Sequence, residues 1–188
     1  MADFVFVSGR LCLDLAGTML WRRTRRTELL DSPEALALWI AQAAILDEAG
    51  EMTPHDLARV KTLREALYDL TLTITADGPD LSREDELALV NDAARLPVPR
   101  VQLDCTGTLS RLGGVDEVLG YVARDAIELL GSPHAARVKE CANPECTRLF
   151  VDLSRSAARR WCGMAECGNR HKAASYRERR KTTVPSTA

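Results

Sequence analysis

The chain has 188 residues, 46% hydrophobic and 28% charged, the balance of a folded globular protein and not of a disordered or fibrous one. Its net charge of −2 at pH 7 assigns no partner. No run of about 18 apolar residues occurs, which excludes a transmembrane helix, and no segment reads as a secretory signal, so a cytoplasmic protein is expected.

In chain order, Phe4-Val5-Phe6-Val7 reads as a short strand. Leu11, Leu13 and Leu15 alternate, while Leu11, Leu15 and Leu20 suit a helix; the run is too short for its period to decide. Arg22, Arg23, Arg25 and Arg26 form a basic connection, a solvated loop or an anion contact. Three helices with readable starts follow. Ser32-Pro33 pairs an N-cap with proline at the first helical position; Leu36, Trp39, Ile40 and Ala43 recur behind it, and Gly50 marks its end. Thr53-Pro54 opens the second, with Asp56 three residues after the threonine. Leu57, Val60, Leu63, Leu67, Leu70 and Ile74 make its apolar stripe, and Gly78-Pro79 stops it. Ser82 with Asp85 begins a third through Leu87, Val90 and Ala94, which Pro97 and Pro99 terminate.

The period then changes. Val101, Leu103 and Cys105 alternate with polar residues, Thr106-Gly107 is a turn signal, and residues 108–112 return as a second strand. Helical spacing resumes over 116–130 through Val118, Leu119, Val122, Ala126 and Leu129. Gly131-Ser132-Pro133 ends this helix and marks a domain boundary.

Six cysteines stand at 12, 105, 141, 146, 162 and 167. The last four read Cys141-x4-Cys146-x15-Cys162-x4-Cys167. Two close pairs separated by a gap long enough for a hairpin fit a structural Zn2+ site of four thiolates. His171 in place of one cysteine, or a redox switch, are the other readings. Cys12 and Cys105 have no partner at ligand spacing and read as buried structural thiols. Leu149-Phe150-Val151 serves as a first strand, Ser154-Arg155-Ser156 as a polar turn, and Arg160-Trp161 as the return to Cys162. Residues 168–181 follow as a helix. The expected fold is therefore α+β. A mainly helical domain with a short β-hairpin spans 1–135. A treble-clef-like zinc module of knuckle, hairpin and helix spans 136–181, and a polar tail covers 182–188.

Cys167-Gly168-Asn169-Arg170 spells CGNR. With Cys141-x4-Cys146, Leu149-Phe150-x-Asp152-x-Ser154-Arg155 and Arg159-Arg160-Trp161-Cys162, residues 139–181 closely resemble the CGNR zinc finger. The preceding part resembles the ABATE domain through Leu13-Asp14-Leu15-x-x-Thr18 and Trp39, with Gly17 where that family's asparagine is expected. The resemblance implies a bacterial, stress-related transcription regulator. Asp14 and Thr18 stand one turn apart if their segment is helical, either lining a site or stabilising the segment.

Charge supports a nucleic-acid partner independently. Residues 139–181 carry 11 Lys/Arg and 5 Asp/Glu, whereas residues 1–138 carry 14 and 22. Four thiolates and one Zn2+ leave the module at about +4. Arg155, Arg159 and Arg160 cluster at the turn, and Arg170, Lys172, Arg177 and Arg180 lie on or after the last helix. These are the expected DNA contacts, arginine being suited to phosphate and guanine edges. A solvated basic face, or docking of the module onto the acidic first domain, would use the same residues otherwise. Asn169 either reads adenine or caps the helix, and Trp161 and Tyr176 are expected in the module's core. An acidic protein or RNA is the alternative partner. A small-molecule effector pocket or a homodimer surface in the first domain would suit a regulator. Enzymatic chemistry is not expected: His55, His134 and His171 form no triad, no phosphate-cradling loop occurs, and the acidic pair Glu65 and Asp69 reads as a solvated helix face.

Overall fold

The computed structural model describes residues 4–77 and 82–169. The chain runs α1 (Leu11–Ala16), β1 (Met19–Leu20), β2 (Thr27–Glu28), α2 (Pro33–Gln42), α3 (Pro54–Asp77), α4 (Glu84–Ala94), β3 (Arg100–Leu103), β4 (Leu109–Leu112) and α5 (Val115–Leu130). A tight 3-10 turn (Ala135–Arg137), β5 (Val138–Glu140), β6 (Leu149–Val151) and a wide helical turn (Met164–Gly168) complete it. The expected mixture of a helical N-terminal region with small hairpin sheets is what forms. Among the described residues no helix is long and apolar enough to cross a membrane.

Local chemistry sets the starts of α2 and α3 and the end of α2. The Ser32 hydroxyl accepts from the Ala35 N–H at 3.2 Å ahead of α2, with Pro33 at the first position. Thr53 and Asp56 cap α3 reciprocally: the Asp56 N–H donates to Thr53 Oγ1 (3.2 Å) and the Thr53 N–H to Asp56 Oδ2 (3.0 Å), a capping box. α2 stops well short of Gly50. Ala44 takes a left-handed φ of 54°, the Ile45 N–H bonds back to the Ile40 carbonyl, and Ile45 and Leu46 turn into the core. Burial of that apolar pair outweighs further helix. α4 begins at Glu84 behind Arg83, whose own side chain does not cap it, two residues after the Ser82 that the sequence offers as its start. The ambiguous 11–20 segment divides into a helix and a strand.

Residues 4–7 form no strand. The N–H groups of Val7 and Ser8 both donate to Asp14 Oδ1, at 3.1 and 3.0 Å, and only the Ser8 carbonyl receives a bond from β6, from the Val151 N–H at 2.8 Å. A carboxylate thus takes the donors a ladder would need. Thr18 is buried, donates to the Leu15 carbonyl (2.7 Å) and accepts from Arg64 Nη1 (3.2 Å). The Asp14 and Thr18 pair therefore ties its segment to both sides.

The apolar stripe of α3 lies at the centre of the main core, against α1, α2, α4 and α5. α5 meets the α4–β3 connection so closely at Gly120 that a Cβ there would lie 2.2 Å from the Pro97 carbonyl oxygen. Arg64 of α3 is 2% exposed and forks onto Glu28 of β2, at 2.6 and 2.8 Å, and onto Glu65 at 2.8 Å. Burial alone would raise the Glu28 carboxyl, but the hydrogen bonds and charge of Arg64 hold it below its ordinary range. Glu65 also pairs with Arg22, whose guanidinium lies 3.9 Å from the Tyr68 ring centroid. Glu65 is therefore not a merely solvated helix face. Nor is the connection 22–26 a free basic loop: Arg22 and Arg23 are paired, and Arg25 stacks on Trp21 at 3.5 Å.

β5 pairs antiparallel with β6, with Val138 opposite Val151 and Glu140 opposite Leu149. This departs from the expected hairpin. Leu149–Val151 pairs with the strand before the first cysteine, not with Arg160-Trp161, so the Cys141–Cys146 knuckle is the hairpin's own turn. Alternation along β6 then divides its side chains. Leu149 and Val151, with Val138, belong to the main helical core; Phe150 faces the other way, into the cysteine cluster.

Candidate metal centre

The knuckle brings the first two thiols to one place. The Cys141 N–H bonds to the Arg148 carbonyl (3.0 Å), and the Cys146 N–H closes the turn onto the Asn143 carbonyl (2.8 Å). The Ala142 N–H reaches the Arg160 carbonyl at 2.8 Å, drawing the Cys162 segment alongside. Cys167 comes from the wide turn Met164–Gly168, whose Cys167 and Gly168 N–H groups bond to the Gly163 carbonyl. As a result the sulfurs of Cys141, Cys146, Cys162 and Cys167 all lie within 4.8 Å of one another, and all four residues are buried.

The donor set can be tested against a tetrahedral ion. Sulfurs about 2.3 Å from a central Zn2+ would be separated by about 3.8 Å, and the Cys146 and Cys162 sulfurs lie 3.8 Å apart. Backbone and side-chain donors already address the cluster: the Cys162 N–H points to the Cys141 sulfur and Asn143 Nδ2 to the Cys167 sulfur, each at 3.5 Å. Such donors stabilise thiolate charge. The Cys141 thiol is drawn down by bonds from Cys146 and then Cys162. The same sharing, with Cys141 first in each case, raises the Cys146 and Cys162 thiols. Four buried sulfur donors within 4.8 Å of one another suit a soft divalent ion in a closed, structural site.

Phe150 floors the cluster, and Trp161 packs against it as expected for core. Behind it Asp152 is fully buried and accepts from Lys139 Nζ (2.7 Å), the Ser154 hydroxyl (2.6 Å), and the N–H groups of Ser154 (3.0 Å) and Arg159 (2.8 Å). The Lys139 ammonium first, then the Ser154 hydroxyl, holds its carboxyl well below the usual range. Asp152 and Lys139 thus fix the loop 153–161, a role that sequence reasoning missed; the quoted Asp152-x-Ser154 turn was the available signal. Asn143 was missed as well, although Asn143-Pro144 marks a turn.

The expected nucleic-acid contacts separate. Arg155 and Arg160 are exposed, and the Arg160 guanidinium lies 5.5 Å from the Trp161 ring centroid. Arg159 turns inward: Nε donates to the Trp161 carbonyl (2.9 Å), Nη2 to the carbonyls of Val7 (2.8 Å) and Cys162, and the guanidinium covers the Phe150 ring at 4.4 Å. Its donors are engaged in the fold because the loop after Asp152 folds back over the cluster. Arg170, Lys172, Arg177 and Arg180, the alternative ligand His171, Tyr176 and residues 170–181 of the expected helix lie outside the described residues; Asn169 ends the described chain. The module and the first region do touch. The Arg22 N–H donates to Thr147 Oγ1 (3.1 Å), and Arg23 pairs with Glu140 at 2.7 Å. Of the two remaining cysteines, Cys12 is buried, which raises its thiol. Cys105 is exposed, correcting the expectation of a buried thiol, because it sits at the open tip of the β3–β4 hairpin.

This arrangement is a cysteine-cluster module built onto a helical region. The chain belongs to the ABATE family, described as "Putative stress-induced transcription regulator", which matches residues 9–133, and the CGNR zinc finger matches residues 137–180. Among curated proteins none matches the chain.

Proposed function

We propose that the chain is a DNA-binding transcription regulator. In this reading one Zn2+ held by Cys141, Cys146, Cys162 and Cys167 maintains the reader module of 136–181, and residues 1–135 act as sensor or dimeriser. The chain carries no catalytic role. One observation carries it: Arg155 and Arg160 stand exposed on a loop fixed at one end by buried Asp152 and at the other by buried Cys162. A loop so restrained presents two cations without ordering them at the moment of binding, which lowers the entropic cost of association. In sequence, the basic residues Arg170, Lys172, Arg177 and Arg180 follow the same module.

The test is selection of bound fragments from a random duplex library, with zinc-loaded full-length protein at about 150 mM salt. A recovered motif, lost with Cys162→Ser, supports the reading. Capture of duplexes without sequence preference, or none, overturns it and leaves an acidic protein or RNA as partner of the basic face.

A further inference from the structure

The β3–β4 hairpin stands out from the helical core with its outer edge open. All four residues of β3 are exposed, Val101 at 65% and Leu103 at 71%, and Leu109 on β4 is 42% exposed. The register places Val101 opposite Arg111 and Leu103 opposite Leu109. Val101, Leu103, Leu109 and the Arg111 stem therefore share one face. The Asp104 N–H bonds to the Thr108 carbonyl, and antiparallel alternation then turns the backbone groups of Arg100, Gln102 and Asp104 toward β4. The N–H and C=O of Val101 and Leu103 are left on the outer edge. The outer edge of β4 is occupied instead: Arg111 exchanges bonds with Asp47, 3.1 Å through its carbonyl and 2.7 Å through its N–H.

An open strand edge carrying apolar side chains is a template for another strand. We propose that its occupant is β3 of a second copy, paired antiparallel about a twofold axis through Gln102. The argument is self-complementarity. With Gln102 opposite Gln102, Val101 of one chain meets Leu103 of the other in both hydrogen-bonded positions, so each outward N–H and C=O is satisfied. The same register sets Arg100 opposite Asp104 at both ends. Asp104 is suited to that place: bonds from the Thr106 hydroxyl and the Thr108 and Thr106 N–H groups hold its carboxyl below the ordinary range. The two hairpins become one four-stranded sheet, order β4-β3-β3-β4, with Leu109, Leu103 and the partner's Val101 in one cross-strand row. This specifies the dimeriser role of the first region, and its test uses free protein, so it stands or falls apart from DNA binding.

Sedimentation of the full zinc-loaded chain should give a species of twice the 20.7 kDa chain mass that dissociates on dilution in the micromolar range. Val101→Pro removes an outward N–H that the β3–β4 ladder does not use; it should leave a folded monomer. Gln102→Cys, in a Cys105→Ser background, should give a covalent dimer under mild oxidation, because opposed residues at a non-hydrogen-bonded site lie about 4.5 Å apart. Arg100→Cys in the same background should not. A monomeric wild-type chain, a dimer indifferent to Val101→Pro, or cross-linking at 100 in place of 102 overturns the proposal.

Discussion

Arg159 Nη2 donates to the carbonyl oxygen of Val7 at 2.8 Å, across 152 positions of the chain. The residue that the sequence offers as a DNA contact is thus a clamp between the cysteine module and the amino-terminal segment. Three carbonyls and the Phe150 ring are its partners. Arg159→Ala should lower unfolding stability by about 1–3 kcal/mol, read by denaturant titration. Arg160→Ala, at an exposed position, should change stability by less than about 0.5 kcal/mol while reducing the salt slope of duplex binding by about 1.

Arg64 and Glu28 are a buried guanidinium and a partly covered carboxylate in fork geometry. Removing the cation alone strands Glu28 and Glu65 beside an apolar core. Arg64→Ala should cost about 3–5 kcal/mol, measured by thermal unfolding with the metal held saturating.

Glu28→Gln gives the corresponding pH signature. Its folded-state carboxyl is held below its ordinary value, so its ionic contribution is fully present above the unfolded pKa of about 4.3. That contribution is lost as pH falls through the lower folded value. The variant should be about 1–3 kcal/mol less stable than wild type at pH 7. The difference should shrink below about pH 4.3, as paired denaturation curves across pH will register.

Gly120 has no room for a methyl group against the Pro97 and Leu96 carbonyls. Backbone cannot yield there as a long side chain could. Gly120→Ala should lower stability by about 1–3 kcal/mol, with hydrogen exchange rising first in α4 and α5.

Chelation, or Cys162→Ser, should expose residues 138–169 to protease and lower the thermal midpoint of the whole chain, because Val138, Leu149 and Val151 lie in the main core. Purified protein should contain about one zinc per chain by elemental analysis.

What could be read from sequence was local. Ser32-Pro33 and Thr53-x-x-Asp56 state their helix starts within four residues, and the hairpin at 100–112 declares itself by alternation and Thr106-Gly107. The cysteine spacing gave the cluster for a similar reason, since each close pair needs only its own turn. The partner of Leu149–Val151 was not legible: a three-residue strand carries no register signal, and its pairing is decided by which face the helical core covers. Arg159 and Arg160 are adjacent and chemically identical; only the return of the loop over Phe150 turns one in and leaves the other out. Residues 4–7 misled because an apolar run of four suits a strand and an irregular segment alike, and the Asp14 carboxylate that takes the Val7 donor lies outside the run.

Because β6 gives Leu149 and Val151 to one core and Phe150 to the other, the two compartments share a wall one strand thick. A metal held on one side of that wall steadies the strand against which the other side packs, so metal retention and the stability of the helical core rise and fall together.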